Sequence, residues 1–171
     1  MTAIVVCPVS RLAETVAATG ARHVVTLMNQ GSTVPVSRES HGVEHRFIAF
    51  NDILEPAEGM ICPDESHVGE FLEHVGAWDR RDPLVIHCYA GISRSTAGAY
   101  SAFCALRPDL GEEEIAARLR DRSPEATPNS RIVALADALL GRQGRMVRAI
   151  AAIGRGAEAS EGSVFALRLD E

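Results

Sequence analysis

The stretch Leu84-Val-Ile-His-Cys-Tyr-Ala-Gly-Ile-Ser-Arg-Ser-Thr96 holds the residue types best suited to chemistry. The thiol of Cys88 ends an apolar run, and the guanidinium of Arg94 follows six positions later. A loop of this length can curl its backbone N–H groups inward from Tyr89 through Ala90, Gly91, Ile92 and Ser93 to Arg94. That makes a nest for an anion, completed by the N-terminus of a following helix. Gly91 permits a backbone conformation that a side chain would oppose. Arg94 offers a planar fork to two oxygens of a phosphate. The same positive field favours the thiolate of Cys88. A thiolate facing a held tetrahedral anion suits nucleophilic displacement. Cysteine and arginine at this spacing are a weak signal alone. His87, Gly91, Ser95 and the strand–loop–helix setting make it a strong one.

The surrounding elements must carry that loop. Leu84–His87 reads as a strand buried on both faces. Ser95–Arg107 is apolar nearly all round, as a buried central helix would be. Ile4–Val6, Val24–Met28 and Phe47–Phe50 read as further strands. Helices are expected over Arg11–Thr19, with Ser10 as its cap and Gly20 as its stop, and over Asp64–Trp78. Others are expected after Gly111, over Arg131–Leu140 and over Arg145–Ile153. Residues 29–44, with Pro35 and many small polar residues, read as an irregular loop or short hairpin, and as the element that sets specificity. The expected architecture is a single α/β domain over residues 1–153. It has a mainly parallel sheet of four or five strands with helices on both faces. Residues 154–171 read as a linker and tail, with Val164–Leu169 either docked as an edge strand or left as plain tail.

The stretch 87–95 resembles the HCxxGxxR[ST] signature of the cysteine-dependent protein tyrosine phosphatases. The compact dual-specificity-like branch and its bacterial relatives are the most similar. The resemblance is specific over 87–95 and looser over roughly 45–135. It implies that Cys88 is the nucleophile that forms a phosphocysteine and that Arg94 binds the phosphoryl oxygens. It further implies that Ser95 donates to the sulfur when it leaves, and that His87 holds the loop and tunes the thiol. Asn129, in Thr127-Pro-Asn-Ser, resembles an asparagine that braces the phosphate loop in the relatives; a plain helix start is the other reading. The family also needs a general acid from a separate loop. Asp52 fits: it lies 36 residues before Cys88 and just after a strand whose carboxyl end shares the sheet edge with Cys88. Glu55 is the nearest competitor and Asp64 a distant one; Asp79 and Asp82 fall at the opposite edge. The mechanism so implied needs neither metal nor cofactor.

Composition bounds the rest. The 171 residues carry 17 basic and 23 acidic groups, a net charge of −6, which disfavours a nucleic-acid partner. All the basic residues are arginine, so chemistry that needs a lysine is excluded. No apolar run approaches the ~20 residues of a membrane span. Residues 1–6 lack a signal-peptide start, and a reducing cytoplasm is the expected compartment. Cys7, Cys62 and Cys104 form no CxxC pair and read as core or incidental cysteines. His41-Gly-Val-Glu-His45 matches HxxEH, a zinc pattern that requires one helix face. Gly42 and the strand after His45 argue against that helix, so no metal is expected there. Arg142, Arg145 and Arg148 read as a solvated helix face.

The expected function is a metal-independent phosphatase acting on a phosphorylated protein or a small phosphomonoester. Three alternatives share parts of the signature. A rhodanese-like sulfurtransferase or arsenate reductase also uses a cysteine in an anion loop, but the full HCxxGxxRS pattern and Asp52 favour a phosphatase. A phosphoinositide phosphatase usually carries basic residues inside the loop. A non-catalytic phosphate-binding module would typically have lost Cys88, Arg94 or the acid.

Overall fold

The computed structural model describes residues 2–35 and 42–171. Five strands form one sheet in the order β3-β2-β4-β1-β5. They are β1 (Ala3–Pro8), β2 (His23–Met28), β3 (Glu44–Ala49), β4 (Leu84–Cys88) and β5 (Phe165–Arg168). β1 to β4 pair in parallel, and β5 runs antiparallel along β1 with Phe165 opposite Val6. The α/β class, the mainly parallel sheet and the strand count therefore agree with the sequence reading.

Period-two alternation sorts the strand residues between two cores. Ile4, Val6, Val25, Leu27 and Ile86 enter the larger one, under α2 (Glu65–Ala77), α3 (Arg94–Leu106), α4 (Glu112–Arg122), α5 (Ser130–Leu139) and α6 (Arg145–Ile153). Val5, Cys7, Val24 and Val85 face the smaller one, closed by α1 (Leu12–Thr19). Helices thus cover both faces, but unequally. β4 is buried along its whole length, and α3 is buried at every residue except Ala105. The strand and helix that flank the Cys88 loop are the best-enclosed pair in the fold.

Several local readings change. Ser10 does not cap α1, which starts at Leu12; its hydroxyl donates to Glu161 instead. Asp64 caps α2, accepting from the N–H groups of Ser66 and His67, which gives it a structural task. The arginine cluster is a solvated face only in part: Arg145 and Arg148 are exposed, but Arg142 is largely enclosed, and Arg142 and Arg145 both donate to Glu112 at 3.0 and 3.1 Å. Arg142 also reaches the Cys104 carbonyl at 2.6 Å. Burial opposes the charge of Glu112, but a hydrogen bond from its own backbone N–H and those from the two arginines outweigh it and hold its carboxyl below the usual range.

Residues 154–163 cross the carboxyl edge of the sheet as a strap before β5 joins β1. Gly156 N–H donates to Thr127 Oγ1 at 3.1 Å, and Ala157 N–H to the Pro124 carbonyl at 2.9 Å. Arg120 binds the carbonyls of Pro124, Ala126 and Gly154 together, joining α4 to the start of the strap.

Candidate active site

β4 ends at Cys88, in register with Pro8 at the end of β1. The loop that follows is fastened through its carbonyl groups. Val9 N–H donates to the Tyr89 carbonyl, Gly162 to Ala90, Thr127 to Ile92 and Asn129 to Ser93, at 2.8–3.2 Å. A trans peptide points its carbonyl and the next N–H in opposite directions. With those four carbonyls turned outward and no cis peptide present, the N–H groups of Ala90, Gly91, Ser93 and Arg94 turn inward. The fold therefore builds an anion nest at the N-terminus of α3. Gly91 sits at φ +72°, and a Cβ there would lie 2.8 Å from Pro8 N and 3.0 Å from Cys7 C. Both are backbone atoms that cannot give way, so glycine is required.

Cys88 and Ser95 are buried beneath this nest, with 3.1 Å between Sγ and Oγ. His87 is fully buried beside them. Its Nδ1 faces the Cys88 carbonyl at 3.4 Å and its Nε2 meets Thr26 Oγ1 at 2.6 Å. Burial pushes the imidazole down to about 4, so it is neutral near pH 7. A neutral ring that donates from Nδ1 must accept at Nε2, from the Thr26 hydroxyl. Thr26 Oγ1 also meets His45 Nε2 at 2.7 Å. His45 therefore belongs to this chain of hydrogen bonds and not to a zinc helix, since it lies in β3; His41 lies outside the described residues.

Arg94 is buried, and its Nη1 donates to Asn29 Oδ1 and to the Phe50 carbonyl, both at 2.8 Å. Its Nε is buried with no hydrogen-bond partner. One corner of the guanidinium is thus pinned to the ends of β2 and β3, while the Nε side is left for a ligand. Asn29 escapes sequence reasoning; its only signal is its place directly after an apolar strand.

Asp52 lies on the loop after β3. Its Oδ1 accepts from Ser93 Oγ at 2.8 Å and from Asn129 Nδ2 at 2.9 Å. This ties the carboxylate to the phosphate loop. Glu55 is exposed on the same loop. Asn129 does more than its sequence reading suggests. Its backbone N–H braces the phosphate loop, its Oδ1 caps α5, and its Nδ2 holds Asp52 and the Ile53 carbonyl.

A groove of about 1060 Å3 opens beside the loop. Asp52, Ile92 and Ser93 line one side, and Pro128, Ile150 and the strap residues Arg155 and Ala159 line the other. Ile92 is part of this mouth; Tyr89 is not, and is 68% exposed. The strap is the wall that a pass along the sequence misses, because small polar residues carry no pattern. It touches the nest at Gly162, where an added Cβ would lie 2.7 Å from the Gly91 carbonyl oxygen. Gly162→Ala is expected to lift the strap off the loop and cost about 1–3 kcal/mol. A lowered Tm together with weaker inorganic phosphate binding checks this; an unchanged Tm would show that the strap rests there loosely.

No family model and no curated protein sequence matches the chain. Solved structures do. The human tyrosine phosphatase-like serine/threonine/tyrosine-interacting protein superposes with a TM-score of 0.64 at 14% identity, covering 82% of this chain and 92% of that one. Human DUSP28 gives 0.60 at 18% identity, with 81% and 94% covered. A mouse putative dual specificity phosphatase gives 0.57 at 16% identity, with 81% and 80% covered. The chain has the dual-specificity phosphatase fold.

Proposed function

We propose that the chain is a metal-independent phosphomonoester hydrolase that acts on phosphotyrosine or on a broader set of phosphoproteins through a phosphocysteine. The observation that carries this reading is Arg94. Its Nη1 is held by Asn29 and Phe50 while its buried Nε has no protein partner, above a Cys88–Ser95 pair inside an amide nest. Several proteins of this fold are phosphatases by name, which supports it. The groove beside Asp52 has room for the body of a substrate beyond its phosphoryl group. The four cysteines are free, which suits a thiol mechanism in a reducing cytoplasm. Among the described residues, no helix is long and apolar enough to cross a membrane.

The reaction has two displacements. In the first, Cys88 Sγ attacks phosphorus in line. The S–P bond forms as the P–O bond to the leaving group breaks, and Asp52 delivers its proton to that oxygen. The nest and Arg94 hold the equatorial oxygens, where charge builds in the transition state. In the second, the Asp52 carboxylate takes a proton from water as the water oxygen attacks phosphorus. The S–P bond breaks, and the Ser95 hydroxyl donates to the departing sulfur.

Turnover of a phosphotyrosine peptide, inhibited by vanadate and unaffected by chelators, is the expected result. Arg94→Lys should lose about 10²-fold or more in kcat, because one ammonium cannot replace an oriented fork. Phosphate binding without turnover would make the chain a binding module. Dependence of turnover on a divalent metal would overturn the mechanism.

A further inference from the structure

At the opposite end of the sheet from Cys88, three metal-ligating side chains converge from three elements. His23 opens β2, Glu44 opens β3 in register with it, and His74 lies in the last turn of α2. One nitrogen from each ring and one carboxylate oxygen lie within 4.8 Å of one another. His23 Nδ1 stands 3.5 Å from Glu44 Oε2, and His74 Nδ1 stands 3.7 Å from Glu44 Oε1.

These separations are too long for good hydrogen bonds. They approach the edge of a tetrahedron with metal–ligand bonds of 2.0–2.1 Å, which is about 3.4 Å. Both rings also carry an orphan: His23 Nδ1 and His74 Nε2 are buried with no hydrogen-bond partner. At His23 the unmet nitrogen is the one that faces Glu44, where a ligand would meet it; at His74 the nitrogen that faces Glu44 is Nδ1, and the unmet one is the other ring nitrogen. His23 then turns its other nitrogen, Nε2, toward Asp79 Oδ1 at 3.9 Å. At that distance the carboxylate faces the ring without a hydrogen bond, and it becomes the outer partner of a ligating histidine by closing on it.

We infer that His23, Glu44 and His74 form a zinc(II) site that clamps α2 to the amino ends of β2 and β3. Two imidazoles and one carboxylate are a zinc-type donor set. Glu44 is well exposed, which leaves the fourth position to water. Two of the three ligands come from outside the HxxEH pattern: Glu44 turns to His23 and His74, while His45 is engaged by Thr26. The site is separate from the phosphate loop, so the metal has no part in turnover.

The test is a zinc titration of the full chain against a chromophoric chelator, in parallel with Tm. The Cys88→Ser protein is measured alongside, because an active-site thiolate is the obvious competing ligand. One zinc per chain and a Tm raised by zinc are expected in both proteins. Glu44→Gln changes an exposed side chain and should fold without metal, yet lose the zinc-dependent Tm rise. His74→Gln should lose it too, and Asp79→Asn should bind roughly 10–100-fold more weakly. Cobalt(II) should give the visible bands of a four-coordinate nitrogen–oxygen site without thiolate charge transfer. Zinc binding that survives both Glu44→Gln and His74→Gln, that disappears in Cys88→Ser, or that is absent altogether would overturn the site. None of these outcomes bears on turnover, which the phosphotyrosine assay reads separately.

Discussion

Cys88→Ser is expected to abolish turnover while the fold and the binding of inorganic phosphate survive. A serine hydroxyl is a far weaker nucleophile than a thiolate, and the side chains beside the sulfur supply no base: Ser95 Oγ is the partner of the sulfur, and His87 is turned to Thr26. Loss of a covalent nucleophile typically removes at least about 10⁴-fold from kcat. Phosphate binding should change little, because nothing that shapes the nest depends on sulfur. Val9, Thr127, Asn129 and Gly162 hold the loop, and Asn29 with the Phe50 carbonyl holds Arg94. Two measurements decide this: kcat on a phosphotyrosine peptide, and phosphate affinity by calorimetry. More than a trace of activity would mean that no phosphocysteine lies on the path. Loss of phosphate binding with retained Tm would mean that the sulfur, and not the nest, holds the anion.

The parts of this arrangement that are local in sequence were legible there. β4, the loop and α3 are contiguous. A fully apolar strand, a glycine with positive φ and a buried helix each leave a pattern within a dozen residues. The place of Asp52 beside the loop was legible one step further out, through the rule that parallel strands share a carboxyl edge. What was hidden depends on contacts between distant segments. Asn29 is a polar residue after a strand, like many others, until Arg94 is seen to donate to it. Asn129 shows a helix cap in sequence, but its second nitrogen-borne task exists only once the Asp52 loop folds over it. The strap of residues 154–163 carries neither period nor motif, and its value lies in backbone groups that any residue has. Arg142 and Arg145 read as surface charge because their partner, Glu112, is about 30 residues away and on another helix.

Asp52→Ala should slow phosphotyrosine hydrolysis by roughly 10²–10⁴-fold. A tyrosine phenolate has a conjugate-acid pKa of about 10, so it leaves poorly without a proton. An electron-poor phenol leaves well unaided, so phosphoenzyme formation from an activated aryl phosphate should slow much less. This dependence on the leaving group is the signature of a proton donor. A lost structural contact would slow both substrates alike. The distinction matters here because Asp52 is also a fastening point, through Ser93 and Asn129. Asp52→Asn supplies the control. Its amide oxygen can still accept from Ser93 and Asn129, but it has no acidic proton to deliver, so it should match Asp52→Ala on phosphotyrosine while keeping the wild-type Tm. Asn129→Ala removes the donor and the α5 cap together; it should lower Tm and slow both substrates. Glu55→Ala should do neither, since the hydrogen bonds that tie this loop to Ser93 and Asn129 end on Asp52 and not on Glu55. If Glu55→Ala shows the leaving-group dependence and Asp52→Ala does not, the proton comes from three residues further along the loop. If both variants turn over phosphotyrosine at nearly the wild-type rate, the donor is on another segment, and Asp52 serves only to fasten the phosphate loop to α5.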